Sequence, residues 1–330
     1  SRPYSGHDWS RVASMRQAGM KIIVLATSDY GELAEAVGLM RVPARLRQTR
    51  VVYIRNGGMS DEQAKQIKGK LGVEIVSVDH RRLIQLYEAV DENAARADAE
   101  DWVRRAEKVV EPTREEIIKS SRLYLAMRAL MEENGARAIT INCLGLFRRG
   151  ALPAYPCLGF CRLNDAGLVG ACEADIASTL TMLIFGYAFG IPGFISDPVI
   201  DTSTNTVIHA HCVCATKMSG PAGPRCPYII RSHLEDYKGA VLQVKHRKGQ
   251  VVTAAKLVNL DTMLISTGII TSSPDVDRGC RTKMATRVAN ARKLLDNYTA
   301  GLHRVVFYGD HVQAIKHLAT FMNWKVVEEI

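Results

Sequence analysis

The strongest constraint on the fold is a change in hydrophobic period near Gly193. Before it, short β-branched runs at Lys21 to Thr27, Arg50 to Arg55 and Val73 to Val78 are each followed by an amphipathic, helix-like stretch. Strands alternating with helices in this way build a parallel, doubly wound sheet. After it the pattern becomes strand-like: Phe194 to Asp201, Thr206 to Cys212, Gly239 to Lys245, Gln250 to Leu260 and Met263 to Thr271, with turn signals between them. Alternation of that kind predicts an antiparallel, barrel-like β domain. Arg304 to Tyr308, Asp310 to Met322 and Lys325 to Glu328 then return to strand, helix and strand. The expected architecture is therefore α/β, with a Rossmann-like doubly wound parallel-sheet domain over 1–190. A β-rich domain with a terminal βαβ return follows over 191–330.

Local signals refine the first half. Ser60-Asp61-Glu62-Gln63 is an N-cap signature for the helix after the second run. Residues 81–133 are charged and helical in character with Pro112 as a break, and Leu123, Met127 and Leu130 share one inward face. Gly135 ends that helix and Ala138 to Cys143 reads as another buried strand. The stretch from Leu144 to Gly170 is rich in Gly and Pro and reads as a loop at the C-terminal end of a sheet strand, where α/β proteins place their sites. It carries Arg162 and Asn164.

Net charge is +9, but the basic excess is spread along the chain and only short clusters such as Lys245-His246-Arg247-Lys248 occur. A nucleic-acid binder concentrates its cations in a stripe or tail, so that class is set aside; an anionic substrate or an ordinary solvated surface accounts for the charge. No apolar run approaches the roughly 18 residues of a membrane span. The first residues, Ser1 to Gly6, lack the apolar core of a secretory signal, which makes the cytoplasm the expected compartment. They also lack an initiator Met, as if something upstream had been removed. The eight cysteines sit mostly in apolar runs and read as reduced thiols. His209-Ala210-His211-Cys212-Val213-Cys214 with Cys226 has the composition of a zinc cluster, yet it matches no paired Cys-x-x-Cys spacing. Its alternation is also what a strand with one buried face gives.

Carboxylates and imidazoles supply the candidate chemistry. Cys172-Glu173-Ala174-Asp175 opens a helix whose apolar stripe is Ile176, Leu180, Leu183, Ile184 and Tyr187. Placed in the first turn, Glu173 shares the inward face of Ile176 and Asp175 points elsewhere. An inward carboxylate needs a cation, a metal or a network; an ordinary first-turn Glu favoured by the helix dipole is the alternative. Asp197 and Asp201 share one face of the next strand, where Pro198 marks an edge or irregularity, and His209 and His211 share a face of the strand after it. Carboxylates with imidazole make a site for Mn²⁺ or Mg²⁺, with Zn²⁺ and Co²⁺ also accepted.

Four segments carry a resemblance: Pro156-Cys157-Leu158-Gly159-Phe160-Cys161-Arg162-Leu163-Asn164-Asp165, Cys172-Glu173-Ala174-Asp175, Gly193-Phe194-Ile195-Ser196-Asp197 and His303-Arg304-Val305-Val306-Phe307-Tyr308-Gly309-Asp310. Together they resemble the L-fucose isomerase and L-arabinose isomerase superfamily, closely over residues 110–330 and loosely before that. The resemblance implies a ketol isomerase (EC 5.3.1.-) in which Glu173 and Asp197 ligate Mn²⁺ and act as the acid/base pair. His211 and His303 stand where the arabinose branch has its histidines, and the fucose branch uses one late histidine. It also implies a longer chain with a further α/β domain and a site completed by neighbouring subunits. Arg162 and Asn164, with Arg231 and His233 in Arg231-Ser232-His233-Leu234-Glu235, are the candidates for holding substrate hydroxyl or acidic groups; a surface strand histidine is the alternative for His233.

Such a site interconverts an aldose and a ketose: the cation polarises the carbonyl, one carboxylate removes the proton from C2, and the other returns or relays it through an enediolate. The expected partner is a free sugar or a sugar derivative. A lyase, epimerase or hydrolase using the same site and a non-catalytic sugar-binding protein are the rival readings. Enediolate chemistry needs a cover against water, so a cyclic trimer or hexamer is expected, with His7 and Asp8 of one copy near the metal of the next.

Overall fold

The computed structural model describes residues 9–330, so His7 and Asp8 lie outside the described residues. β1 (Arg50–Ile54), β2 (Glu74–Ser77), β3 (Lys108–Val109), β4 (Ala138–Ile141) and β5 (Val169–Ala171) fall in the first half. Four of them form a parallel sheet in the order β2-β1-β4-β5. The run at residues 21–27 joins no ladder, contrary to the expected strand. Its β-branched side chains suit a pleated surface, but strand propensity expresses itself only against a paired neighbour, and this run has none among the described residues.

Helices pack on this sheet where their caps and apolar faces allow. Ser60 accepts from the Gln63 N–H and starts the Asp61–Leu71 helix, which Gly72 ends with φ +79, a conformation a side chain resists. Thr113 and Glu116 form a reciprocal capping box at the head of the Arg114–Glu133 helix, directly after Pro112. That helix buries Leu123, Met127 and Leu130, the predicted face.

The second half contributes β6 (Phe194–Asp201), β7 (Thr206–His211), β8 (Tyr228–Arg231), β9 (Val241–Val244), β10 (Val251–Val258), β11 (Thr262–Ser272), β12 (Thr282–Arg287), β13 (Arg304–Tyr308) and β14 (Lys325–Glu328). Seven form one sheet in the order β10-β13-β6-β7-β12-β11-β14, antiparallel except where β14 joins β11. β10 also pairs with β11, so the ladder returns on itself. β3, β8 and β9 make a separate three-stranded sheet. One apolar cluster runs without a break from Leu39 through both main sheets to Leu318.

The turn-rich stretch from Leu144 to Gly170 is more ordered than its glycines suggest. It holds the Cys143–Phe147 helix and the buried Cys157–Asp165 helix before β5. Gly159 and Gly170 are used for close approach: a Cβ on Gly159 would meet Met127 at 2.3 Å, and one on Gly170 the Phe160 backbone at 2.7 Å. Here glycine marks tight packing rather than a turn. No described helix is long and apolar enough to cross a membrane.

Candidate metal centre

Four segments bring their side chains to one place. Glu173 stands on the turn between β5 and the Ile176–Phe189 helix, Asp197 lies midway along β6, His211 ends β7 and His303 immediately precedes β13. The ladder fixes two of them, because Asp197 pairs across β6 and β7 with Ala210, the neighbour of His211. Extending the antiparallel β6–β13 pairing beyond Arg304↔Ser196 brings His303 to Asp197.

Glu173 is not in the first turn of the helix, as the sequence pattern implied. Asp175 is the N-cap, accepting from the Ser178 N–H, so the helix begins at Ile176. Glu173 and Ala174 precede it with φ of 63 and 53, a left-handed pair uncommon for residues with side chains. The turn is secured by the Ala174 N–H donating to the Ile141 carbonyl at 2.9 Å. Its effect is to send both Glu173 and Asp175 toward His303, where helical geometry would have separated them.

The polar atoms converge closely. Glu173 Oε1 lies 3.6 Å from His211 Nε2, and Glu173 Oε2 lies 3.5 Å from His303 Nε2. His303 Nε2 is 3.2 Å from Asp197 Oδ1. One ligand atom from each of Glu173, His211 and His303 falls within 4.8 Å of the others, the spacing of groups around one ion. Asp197 Oδ1 is buried and makes no aligned hydrogen bond despite its closeness to His303, as an oxygen shared with a cation would. Two carboxylates and two imidazoles suit a divalent ion of the Mn²⁺ to Zn²⁺ range, so the residues present fit such a group.

Electrostatics keep the two carboxylates in the ligating form and place a proton on His303 that a bound cation would displace. The His211 contact holds the Glu173 carboxyl below its usual range against the opposing effect of burial. Burial would raise Asp197, but the His303 and His211 imidazoles prevail and hold it low. Burial also works against the charged form of His303, yet Asp175, Asp197 and Glu173 together lift it to about 9. Both carboxylates are thus ionised at neutral pH and able to ligate or to accept a proton.

Beside Asp197 a cavity of about 390 Å³ is lined by Ala210, Cys212, His233, Leu234, Glu235 and Cys280. His233 is stacked on Tyr155 at 4.7 Å, and its Nδ1 is buried without a partner. The other candidates are engaged elsewhere. Arg162 pairs with Asp98 and Asp101 and lies over the Trp102 ring, Asn164 exchanges two hydrogen bonds with the Gly170 backbone, and Arg231 is clamped by Glu111 and Gln243. All three brace the scaffold, and none meets the four converging side chains. His209 is fully buried with Nδ1 3.0 Å from Ser196 Oγ, and exposed Asp201 caps its own turn through Ser203 and Thr204.

The cysteines of the suspected zinc cluster have separate neighbours: Cys214 lies near His246 and Met218, and Cys226 near Tyr308. Among the described residues, Glu173, His211 and His303 are the one group with metal-ligand spacing. Sequence reasoning missed the part played by Asp175. The signal was present, since Asp175-Ile176-Ala177-Ser178 is an Asp N-cap whose third residue is a serine.

No protein-family model matches the chain. A sulfoquinovose isomerase from Clostridium sp. (strain MSTE9) is 30% identical over 146 residues, which is 43% of this chain and 32% of that protein. The chain resembles a sugar isomerase. It matches about a third of that relative's length.

Proposed function

We propose that this chain is a metal-dependent sugar isomerase that interconverts an aldose and a ketose. The observation that carries the reading is the convergence of Glu173, His211 and His303 on one point, with the unpartnered Asp197 oxygen beside it and a cavity alongside. The partial likeness to a sulfoquinovose isomerase supports the same reaction class. Residues 1–190 supply Glu173 and residues 191–330 supply Asp197, His211 and His303.

Glu173, Asp197, His211 and His303 would hold the ion, for which Mn²⁺ is our assignment. When bound, a divalent cation polarises a sugar carbonyl and stabilises negative charge on its oxygen. Glu173 and Asp197 enter from different chain segments and flank His303, so one can take the proton from the sugar carbon while the other serves the oxygens. His233, on the cavity wall, would meet a sugar hydroxyl. Among the described residues no Lys or Arg lines that wall, which suits a polyhydroxy stretch of the substrate.

The Glu173 and Asp197 side chains are each about one-third exposed, at 34% and 36%. A reaction through an enediolate needs better shielding from water, and in our reading a second copy of the chain in a cyclic trimer or hexamer provides it. The test is product analysis by NMR with metal-loaded protein and a panel of pentoses, 6-deoxyhexoses and sulfoquinovose. Conversion of one aldose to its ketose, with solvent deuterium entering at C1 of the ketose, is the expected result. Elimination or hydrolysis products in place of the ketose would overturn the reading.

A further inference from the structure

We propose that Asp175 is the positioning residue that fixes the orientation and tautomer of His303 through its 2.8 Å contact with His303 Nδ1. This role rests on the metal-centre reading and adds to it a residue that does not itself touch the ion.

Both carboxylate oxygens of Asp175 are engaged. Oδ1 accepts the Ser178 N–H at 3.0 Å, while Oδ2 accepts the Ser178 hydroxyl at 2.5 Å and faces His303 Nδ1. An ionised carboxylate only accepts, so the proton of this contact sits on Nδ1 of the ring. Once a cation displaces the Nε2 proton, His303 carries its lone pair on Nε2, the nitrogen that stands 3.5 Å from Glu173 and 3.2 Å from Asp197. The opposite tautomer would turn an N–H into the centre and leave nothing to ligate with. A carboxylate behind a ligating imidazole also raises the basicity of the ligating nitrogen.

Helix capping alone does not explain the arrangement. A cap needs one side-chain oxygen on the Ser178 N–H, and the second oxygen reaches a histidine 128 residues away in sequence. The left-handed Glu173–Ala174 pair serves the same end, because it lets Glu173 face Nε2 while Asp175 faces Nδ1 of one ring.

Asp175→Ser separates the two duties. Serine caps a helix as well as aspartate does but is too short to reach His303. With Zn²⁺ as a diamagnetic probe, ¹⁵N-edited imidazole spectra of the wild type should show His303 protonated at Nδ1 and ligated at Nε2. In Asp175→Ser the melting temperature should stay near wild type, Zn²⁺ affinity should fall by about 10- to 100-fold, and the single tautomer signature should be lost. Asp175→Asn keeps one accepting oxygen for the three donors and has no charge, so its affinity should fall less far. If the serine variant fails to fold, the asparagine variant decides, and affinity equal to wild type overturns the role. Wild-type protein that takes up no Zn²⁺ would overturn the metal centre and this role together. Wild-type uptake with unchanged affinity and tautomer in Asp175→Ser would overturn the positioning role alone.

Discussion

Arg304 and Glu329 form a fully buried ion pair one residue beyond His303, with Arg304 Nε 2.9 Å and Nη2 2.6 Å from the two carboxylate oxygens. The guanidinium also donates to the Thr299 and His303 carbonyls and lies 4.1 Å from the Tyr298 ring centroid. Two chain segments are thereby tied together directly behind a candidate ligand. Removing one partner leaves an uncompensated charge in the interior. Glu329→Gln should cost about 3–5 kcal/mol of stability by urea denaturation. A loss below about 1 kcal/mol, the range of surface pairs, would show that the pair is not the anchor its geometry indicates.

Two buried histidines set an acid limit. Burial pushes His209 down to about 4, and burial with the nearby His209 pushes His246 down to about 3. Both are neutral when folded and titrate near 6.5 when unfolded, so the unfolded chain binds protons first. Their contribution to stability is complete above pH 6.5 and declines as pH falls from 6.5 toward 4. His303, lifted to about 9, titrates above this window and the lowered carboxylates below it. Melting temperature measured from pH 7 to 4.5 should fall steadily, and His246→Gln should flatten the slope. A flat profile in the wild type would contradict the assignment.

Gly193 sits where β6 begins its run to Asp197. A Cβ there would meet Val305 at 2.4 Å, Phe307 at 2.7 Å and Met182 at 2.9 Å. Gly193→Ala should destabilise by about 1–3 kcal/mol as the core shifts to admit it. Thermal unfolding unchanged from wild type would show that β6 can move away at no cost.

The thiols should differ sharply in reactivity. Contact with Cys212 brings the Cys280 thiol below its usual range, whereas burial pushes Cys143 up to about 11 and Cys157 and Cys172 well up. Cys280 is also half-buried and lines the cavity. Peptide mapping after brief iodoacetamide treatment should find Cys280 labelled first among the described cysteines. Equal labelling of Cys172 would be inconsistent with its packing against His211 at 3.6 Å.

Much of the scaffold was legible because periodicity reports burial directly. Phe194–Asp201 and Arg304–Tyr308 are strands with the bounds the alternation predicted, and Ser60 caps its helix as its signature required. Residues 21–27 show the limit of that reasoning, since pairing depends on a neighbour that the local sequence does not name. The Cys157–Asp165 helix was hidden for a different reason, because its glycine serves helix packing and mimics a loop signal. At the site, Glu173 and Asp197 stood out as carboxylates in apolar surroundings. Asp175 did not, because its role depends on two left-handed residues before it and a histidine 128 positions later. Arg162, inside the turn-rich stretch, and Arg231, near His233, read as substrate-holding residues in the sequence, but their partners are Asp98 and Asp101 on the Glu92–Arg105 helix and Glu111 in the turn that follows β3, all far away in sequence.

The central claim is that Glu173, Asp197, His211 and His303 hold one divalent cation. The most direct test is equilibrium dialysis against Mn²⁺ followed by elemental analysis of the wild type, Glu173→Gln and Asp197→Asn. The account predicts about one ion per wild-type chain and loss of most of it in each variant, with folding retained because both side chains are about one-third exposed and the amides keep their shape. Wild-type protein that binds no Mn²⁺, or variants that bind as much as the wild type, would contradict it.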